Sequence, residues 1–256
     1  AVELVHNFSL IHDDIQDNSP LRRGRKTVWK KWGVPQAINT GDSMFSLAHI
    51  ALHRLEALAP PKIVLRAQKI LPMACLTLTQ GQYMDLSYEN RTDLTIDDYW
   101  SMIHGKTASL LATCSQLGAL MANVNPETQE LYRAFGEYVG LAFQVYDDIL
   151  GIWGDAVKTG KSTESDLITG KNSLPVLFGL QESKVFTQRW KDGQIQAKEV
   201  PEIIRILDDC GAHEFAKEKT AELTQKALDT VAEANPSGEA AEALIELAHA
   251  LINRET

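Results

Sequence analysis

The sequence predicts an all-α protein, a bundle of long antiparallel helices, on three observations. Apolar residues recur at helical rather than alternating spacing, as in Leu47, Ile50, Ala51 and Leu55, or Leu110, Leu111, Leu117, Leu120 and Met121. Strand patterns flanked by hairpin turns are lacking. Breakers cut the chain into long segments, and helix-start signals stand where the cuts fall.

Taken in order, the first segment is already in helical pattern. Val2, Val5, Phe8 and Leu10 lead without an N-cap into Asp13, and Asn18-Ser19-Pro20 ends the helix. Further breakers lie from Pro20 to Pro35, at Pro60-Pro61, 89–93, 123–126, 154–172, 191–193 and 236–238, which leaves helices of about 15–29 residues between them. Thr95 before Asp97 and Asp98 reads as one helix start. Asn125-Pro126-Glu127 reads as N-cap, N1 proline and acidic N2 of another. Gly136, Gly140 and Ala142 lie inside the helix that carries Asp147; glycine there costs roughly 1 kcal/mol, so it implies either close helix approach or ligand space. No repeat of 20–50 residues supports a solenoid.

With 256 residues, 44% of them apolar and 23% charged, the chain buries a large core as one domain over 1–256. The 25 Lys+Arg against 34 Asp+Glu give a formal charge of −9, which excludes general nucleic-acid affinity and makes any anion site local. Cys75, Cys114 and Cys210 lack CxxC or Cys/His spacing, so they read as buried thiols in a reducing compartment rather than zinc ligands. No run of 18 apolar residues offers a membrane span, and the first residues lack a basic region before an apolar one. A soluble, cytoplasmic protein is expected.

Two acidic clusters carry the chemistry: Asp13-Asp14-Ile15-Gln16-Asp17 and Asp147-Asp148-Ile149-Leu150. Asp13 and Asp17 stand at i and i+4 of a final helical turn, where negative charge opposes the macrodipole by roughly 0.3–1 kcal/mol per exposed group. Arg22, Arg23, Arg25 and Lys26 follow. Carboxylates that cost stability, next to cations, point to divalent metal plus phosphate. Magnesium is held by one or two carboxylates together with substrate phosphates, a demand Asp13 and Asp17 meet from one helix face. In the second cluster Gln144, Asp148 and Gly151 share a face, with Asp147 beside them. Arg22 and Arg23 suit bidentate phosphate contact, whereas Lys106, Lys161 and Lys171 act as point charges. Gly105-Lys106-Thr107 lacks the spacing of a P-loop, so a nucleoside-triphosphatase is excluded.

The string His6–Arg23 (HNFSLIHDDIQDNSPLRR), with Gly81-Gln82-Tyr83-Met84-Asp85, Gly105-Lys106-Thr107, Phe143–Asp148 and Gly160-Lys161, resembles the trans-isoprenyl diphosphate synthases. The look is nearest to the short-chain farnesyl and geranylgeranyl types, and it extends over residues 1 to about 180. The resemblance implies the isoprenoid synthase fold, antiparallel helices around a central cavity, usually as a homodimer. It implies head-to-tail (1'-4) condensation of isopentenyl diphosphate with an allylic diphosphate (dimethylallyl, geranyl or farnesyl). Asp13, Asp14, Asp17, Asp147, Asp148 and Lys106 match catalytic positions, with Asp13, Asp17 and Asp147 toward magnesium, three ions with bound diphosphate. Arg22, Lys106, Thr107, Gln144 and Lys161 match allylic diphosphate contacts, with Lys171 nearby; His6 and Arg23 match isopentenyl diphosphate contacts.

Two departures stand out. The family's second motif reads Asp-Asp-x-x-Asp, whereas position 151 is Gly and the next carboxylate is Asp155. The family's upstream Gly-x-x-x-Arg-type segment, and the helices that carry it, would lie before residue 1. Product length in the family is set beneath the first motif, where this chain has bulky Phe8 and small Ser9 and no insertion between Asp14 and Asp17. That resembles archaeal geranylgeranyl synthases and favours a C20 product over a farnesyl one, although Phe8 could equally be an ordinary core aromatic. A terpene cyclase and a catalytically weakened subunit of a prenyl synthase are the alternatives. Trp190, Asp208, Asp209, Cys210 and His213 are read as packing or surface.

Overall fold

The computed structural model describes residues 1–89, 91–154 and 165–252. The all-α expectation holds, and the chain folds into two compact units, one of 1–75 with 117–124, the other of 76–116 and 125 onward.

The first unit opens with α1 (Val2–Gln16), which buries Val5, Phe8 and Asp14. Asp17 is its C-cap, and Asn18 follows in the left-handed region at φ 52°. Asn18 N–H donates to Ile15 O and Ser19 N–H to Asp14 O, a Schellman closure that ends the helix just after its aspartates. A two-residue hairpin comes next, β1 (Leu21–Arg22) against β2 (Arg25–Lys26), with Arg23 at φ 50° and Gly24 at φ 72°. Two positive φ values in a row match the twist of tight hairpins, and glycine makes the second one inexpensive. The sequence reading of Pro20–Pro35 as a breaker missed this hairpin and the short α2 (Val28–Trp32), because two-residue strands are too short to display alternation. The hairpin is pinned by Ser19 O, which accepts from Thr27 Oγ1 (2.9 Å) and Trp29 Nε1 (2.8 Å). α3 (Val34–His53) packs along α1, and α4 (Pro61–Tyr88) begins in this unit.

In the second unit, α5 (Ile96–Ile103) starts on a Thr95/Asp98 capping box and runs through a π-helical turn (His104–Ala108) into α6 (Ser109–Met121), whose residues from Leu117 on are counted with the first unit. α7 (Pro126–Trp153) starts at Asn125, whose side chain accepts from Thr128 N–H. Both start signals read from the sequence hold. Then follow α8 (Ser165–Thr169), α9 (Leu174–Glu182), α10 (Lys184–Lys191), α11 (Val200–Asp209), α12 (Ala212–Ala234) and α13 (Glu239–Ile252). Several are shorter than the expected range, since the Ser183 cap and Gly211 at φ 82° divide what periodicity alone had joined. α7 and α12 pack along their lengths over a core that includes Tyr99, Ile103, Val145, Leu174 and Ala216.

Glycines set the helix spacing in this unit. A Cβ on Gly136 would stand 2.4 Å from Leu111 O, and one on Gly140 would stand 2.7 Å from Ala108 Cα. Close helix approach is therefore the reason for both. Trp153, at the end of α7, donates its indole N–H to Asp208 (2.9 Å) and stacks on His213 with ring centroids 4.1 Å apart. Asp208 and His213 thus fasten α7 to α11 and α12, in keeping with a packing role. Of the three thiols only Cys75 is buried; Cys210 is half-buried and Cys114 is exposed, because α6 turns that position outward. Among the described residues no helix is long and apolar enough to cross a membrane.

Gly136→Ala gains roughly 1 kcal/mol of helix propensity yet forces two backbones apart. A net loss of about 1–3 kcal/mol is expected in urea unfolding; an unchanged midpoint would show that the helices separate at no cost.

Candidate active site

In the first unit, the carboxylates at the end of α1 are unequal. Asp14 is 4% exposed, whereas Asp17 lies at the surface. The hairpin returns Arg22 to this end: its Nε donates to Asp14 Oδ1 at 2.8 Å and its Nη2 to Asp13 Oδ2 at 3.0 Å. Burial pushes the Asp14 carboxyl up, the Arg22 hydrogen bond and charge oppose that rise, and neighbouring Asp13 adds to it. Arg23, at the tip of the hairpin, is exposed. His6 lies two turns before Asp13 on α1, half-buried and 3.9 Å from Glu3. Phe8 is buried, edge-on to His12 (5.7 Å) and to Phe45 of α3 (5.3 Å). The Ser9 hydroxyl donates to His6 O.

In the second unit, the Asp148 carboxylate is fully buried and accepts four hydrogen bonds. Oδ2 accepts from Tyr99 O–H (2.8 Å) and Leu174 N–H (3.2 Å); Oδ1 accepts from Lys171 Nζ (3.1 Å) and Gln144 Nε2 (3.2 Å). Gln144 Oε1 in turn accepts from Thr107 Oγ1 at 2.7 Å. Burial, followed by the charge of Asp148, holds the Tyr99 phenol well above its ordinary range, so it donates as a neutral hydroxyl. Burial alone would pull the Lys171 ammonium down, but the charges of Asp148, Asp166 and Asp147 outweigh it and raise the group above its usual value. Asp147, the next residue on α7, is only partly buried.

Local folding explains these positions. A Cβ on Gly81 would lie 2.1 Å from Lys106 N, and one on Gly105 would lie 2.8 Å from Gly81 Cα, so α4 and the π turn meet backbone to backbone. Asp85, one helical turn after Gly81, then pairs with Lys106 Nζ. The contact of Gly140 with Ala108 brings Gln144, one turn further along α7, to Thr107. The π turn sits at this junction, as such turns frequently do at functional sites.

Thr107, Gln144, Asp148 and Lys171 are thus brought into one network, Lys106, next to Thr107 in sequence, pairs with Asp85, and Arg22 joins Asp13 to Asp14. Lys161 and Asp155 lie outside the described residues. The sequence reading named Asp85 within the Gly81–Asp85 motif but gave it no role, and it missed Tyr99 and Asp166. Asp85 was within reach, since it follows Gly81 by one turn; Tyr99 sits in an apolar stripe and carries no signal of its own. Among the described residues no three His, Cys, Asp or Glu side chains converge into a preformed metal cage. Asp13, Asp17 and Asp147 offer hard oxygen donors of the kind magnesium takes when substrate phosphates complete its shell.

The family profile for polyprenyl synthetase matches residues 1–207, beyond the point near 180 where the recognisable motifs end. The geranylgeranyl diphosphate synthase of Mycobacterium tuberculosis is 46% identical over 180 residues, 70% of this chain and 51% of that protein, so the matched part spans about half of that relative. The (2E,6E)-farnesyl diphosphate synthase of Mycobacterium bovis is 36% identical across 100% of this chain and 72% of its own length. The crystal structure of geranylgeranyl pyrophosphate synthetase from Pyrococcus horikoshii superposes with a TM-score of 0.93 at 34% identity, covering 99% of this chain and 78% of that one. With both acidic clusters placed at helix ends and cations drawn in beside them, the chain belongs to the polyprenyl synthetase family.

Proposed function

We propose that the protein is a single-domain, short-chain trans-prenyl diphosphate synthase that joins isopentenyl diphosphate to an allylic diphosphate (dimethylallyl, geranyl or farnesyl) head-to-tail, 1'-4. The observation that carries this reading is the shared design of the two acidic clusters. In each, one carboxylate is buried against a cation (Asp14 on Arg22, Asp148 on Lys171) beside a more accessible neighbour, Asp13 or Asp147. Buried anchors with accessible neighbours suit cation binding better than stability, since desolvating a carboxylate costs several kcal/mol.

On this reading Asp13, Asp17 and Asp147 face magnesium, and Arg22, Lys106, Thr107, Gln144, Lys161 and Lys171 serve the allylic diphosphate. His6 and Arg23 serve isopentenyl diphosphate. A guanidinium carries five donors and an ammonium three, so pairing with one carboxylate still leaves room for phosphate oxygens. Magnesium, when bound, supplies positive charge that stabilises the departing diphosphate. The allylic C1–O bond breaks with its electron pair leaving on diphosphate, the homoallylic double bond attacks C1 through C4, and the proton lost next passes to the released diphosphate. Protein cations stabilise the charge that develops on the leaving group. The product assigned is geranylgeranyl diphosphate, with farnesyl diphosphate the shorter alternative, on the bulky Phe8 and small Ser9 beneath the first cluster. A reducing, cytoplasmic setting is supported by Cys75, Cys114 and Cys210 standing as thiols.

Homodimerisation is part of the proposal. Ile38 (44%), Leu47 (49%), Ile50 (59%) and Leu65 (67%) are large apolar side chains left exposed on α3 and the first half of α4, of the kind that a subunit interface covers. Light scattering is expected to give about twice 28.4 kDa; a monomer throughout the micromolar range would remove this part.

Purified protein with both substrates and magnesium is expected to release diphosphate and form a prenyl product, and chelation is expected to abolish it. Asp147→Ala should lower kcat/KM by about two orders of magnitude or more with the fold intact. Absence of product from wild-type enzyme sinks the reading, whereas product from the allylic diphosphate alone indicates a cyclase. Turnover by the isolated homo-oligomer excludes a weakened subunit. Phe8→Ala is expected to shift product to longer chains in a chromatographic assay; an unchanged distribution would make Phe8 a core aromatic only.

A further inference from the structure

The π turn that carries Lys106 and Thr107 is held at its first residue by a pair outside the contacts described above. Ser109 N–H donates to His104 O, five residues back, and closes the turn. A regular helix closes its bonds with one residue fewer, so packing has to keep the extra residue in place. His104 Nε2 stands 3.3 Å from Glu137 Oε1 on α7. Arg133, one turn earlier on α7, donates to Glu137 and to Glu130, so the carboxylate that faces His104 is itself fixed.

The pair continues a line of contacts. Residues 133, 137, 140, 144 and 148 recur every three or four positions and so share one face of α7. Along that face Glu137 meets His104, Gly140 meets Ala108, and Gln144 accepts from Thr107. These contacts take the first, last and fourth residues of the π turn. A slip of one residue turns a helical side chain through about 100°, enough to carry Lys106 away from Asp85 and Thr107 away from Gln144. The His104 pair supplies a charged hold at the end where such a slip would begin.

We infer that Glu137, acting through His104, is a positioning residue: the pair fixes the π turn against α7 and so sets where Lys106 and Thr107 meet the allylic diphosphate. The inference rests on the synthase reading above. Protonation of His104 governs the strength of the hold. The hydrogen bond to Glu137 raises the imidazole above its ordinary range; burial and the Arg133 charge oppose the rise, and the Glu137 charge adds to it. The same hydrogen bond, joined by Arg133, holds Glu137 down at about 2 against burial. The charged pair is therefore complete below the ordinary histidine value and weakens as pH rises through the raised one. Tyr138 of α7 and Lys219, Glu222 and Lys226 of α12 line a groove with His104, and there both lysines pair with Glu222.

Steady-state kinetics across the histidine range, with thermal melting alongside, compare wild type with Glu137→Gln, His104→Ala and His104→Gln. Glu137→Gln and His104→Ala are expected to raise KM for the allylic diphosphate about tenfold, the scale of one hydrogen bond to a charged group, with KM for isopentenyl diphosphate within about twofold. His104→Gln, whose amide still donates to Glu137, is expected to recover most of that loss. Relative to His104→Gln, which does not titrate, the wild-type allylic KM is expected to climb about fivefold as His104 loses its proton. Ionisation of the substrate enters both profiles equally. The two His104 variants carry the test if Glu137→Gln fails to fold. A merely structural pair would lower the melting temperature of the variants and leave the allylic KM and its pH profile as in wild type. That result, a joint rise in both KM values, or a wild-type profile parallel to that of His104→Gln overturns the inference and leaves the synthase reading intact. Wild-type protein that forms no product overturns both.

Discussion

A buried carboxylate organises the second unit. Asp148 has no contact with solvent, and an ionised carboxylate is tolerated there only when its lone pairs are filled and its charge is answered. The partners come from separate elements: Tyr99 from α5, Gln144 from α7 itself, Lys171 from the turn after α8, and Leu174 N–H from the start of α9. Satisfying one side chain therefore ties four parts of the chain to a common point. The first N–H groups of α9 would otherwise lack an acceptor, so the same carboxylate also serves that helix end. Removing any partner leaves charge or donor unmatched, which makes this network sensitive to each of its members.

Helix spacing makes the network possible. Gly81 against Gly105, and Gly140 against Ala108, let backbones approach more closely than any larger residue allows. Lys106 and Thr107 sit between these two contacts on a π turn, so one residue faces Asp85 and the next faces Gln144. The small residues thus act at a distance: they hold no ligand, but they decide which polar groups meet. In the first unit the same task falls to chain reversal. The Schellman closure and the hairpin turn α1 back on itself, and Arg22 returns to the carboxylates it follows by only a few residues.

Much of this was legible in advance. Helical periodicity and caps located the long helices, because burial of one face imposes the 3.6-residue repeat on the sequence itself. Both acidic clusters announced themselves, since charge inside an apolar helical context opposes stability and so implies another use. Legibility failed where structure depended on few residues or on contacts distant in sequence. The two-residue strands are too short for a pattern, and the short helices α8 to α11 depend on packing around Phe186, Val200 and Leu207. Cys114, read as buried, is exposed because periodicity shows which residues share a face but not always which face turns inward.

The acidic clusters themselves illustrate the division. From the sequence alone came the helical class, the two carboxylate clusters, the nearby cations and the glycine at position 151. Each is a local property, set by residue chemistry and spacing along one helix. Only the tertiary structure decided that Asp14 and Asp148 are buried anchors, that Asp13 and Asp147 are their more accessible neighbours, and that Asp166 lies over Gly151. Burial and charge compensation depend on groups many residues apart, as with Tyr99 and Asp148, and no local pattern encodes that meeting.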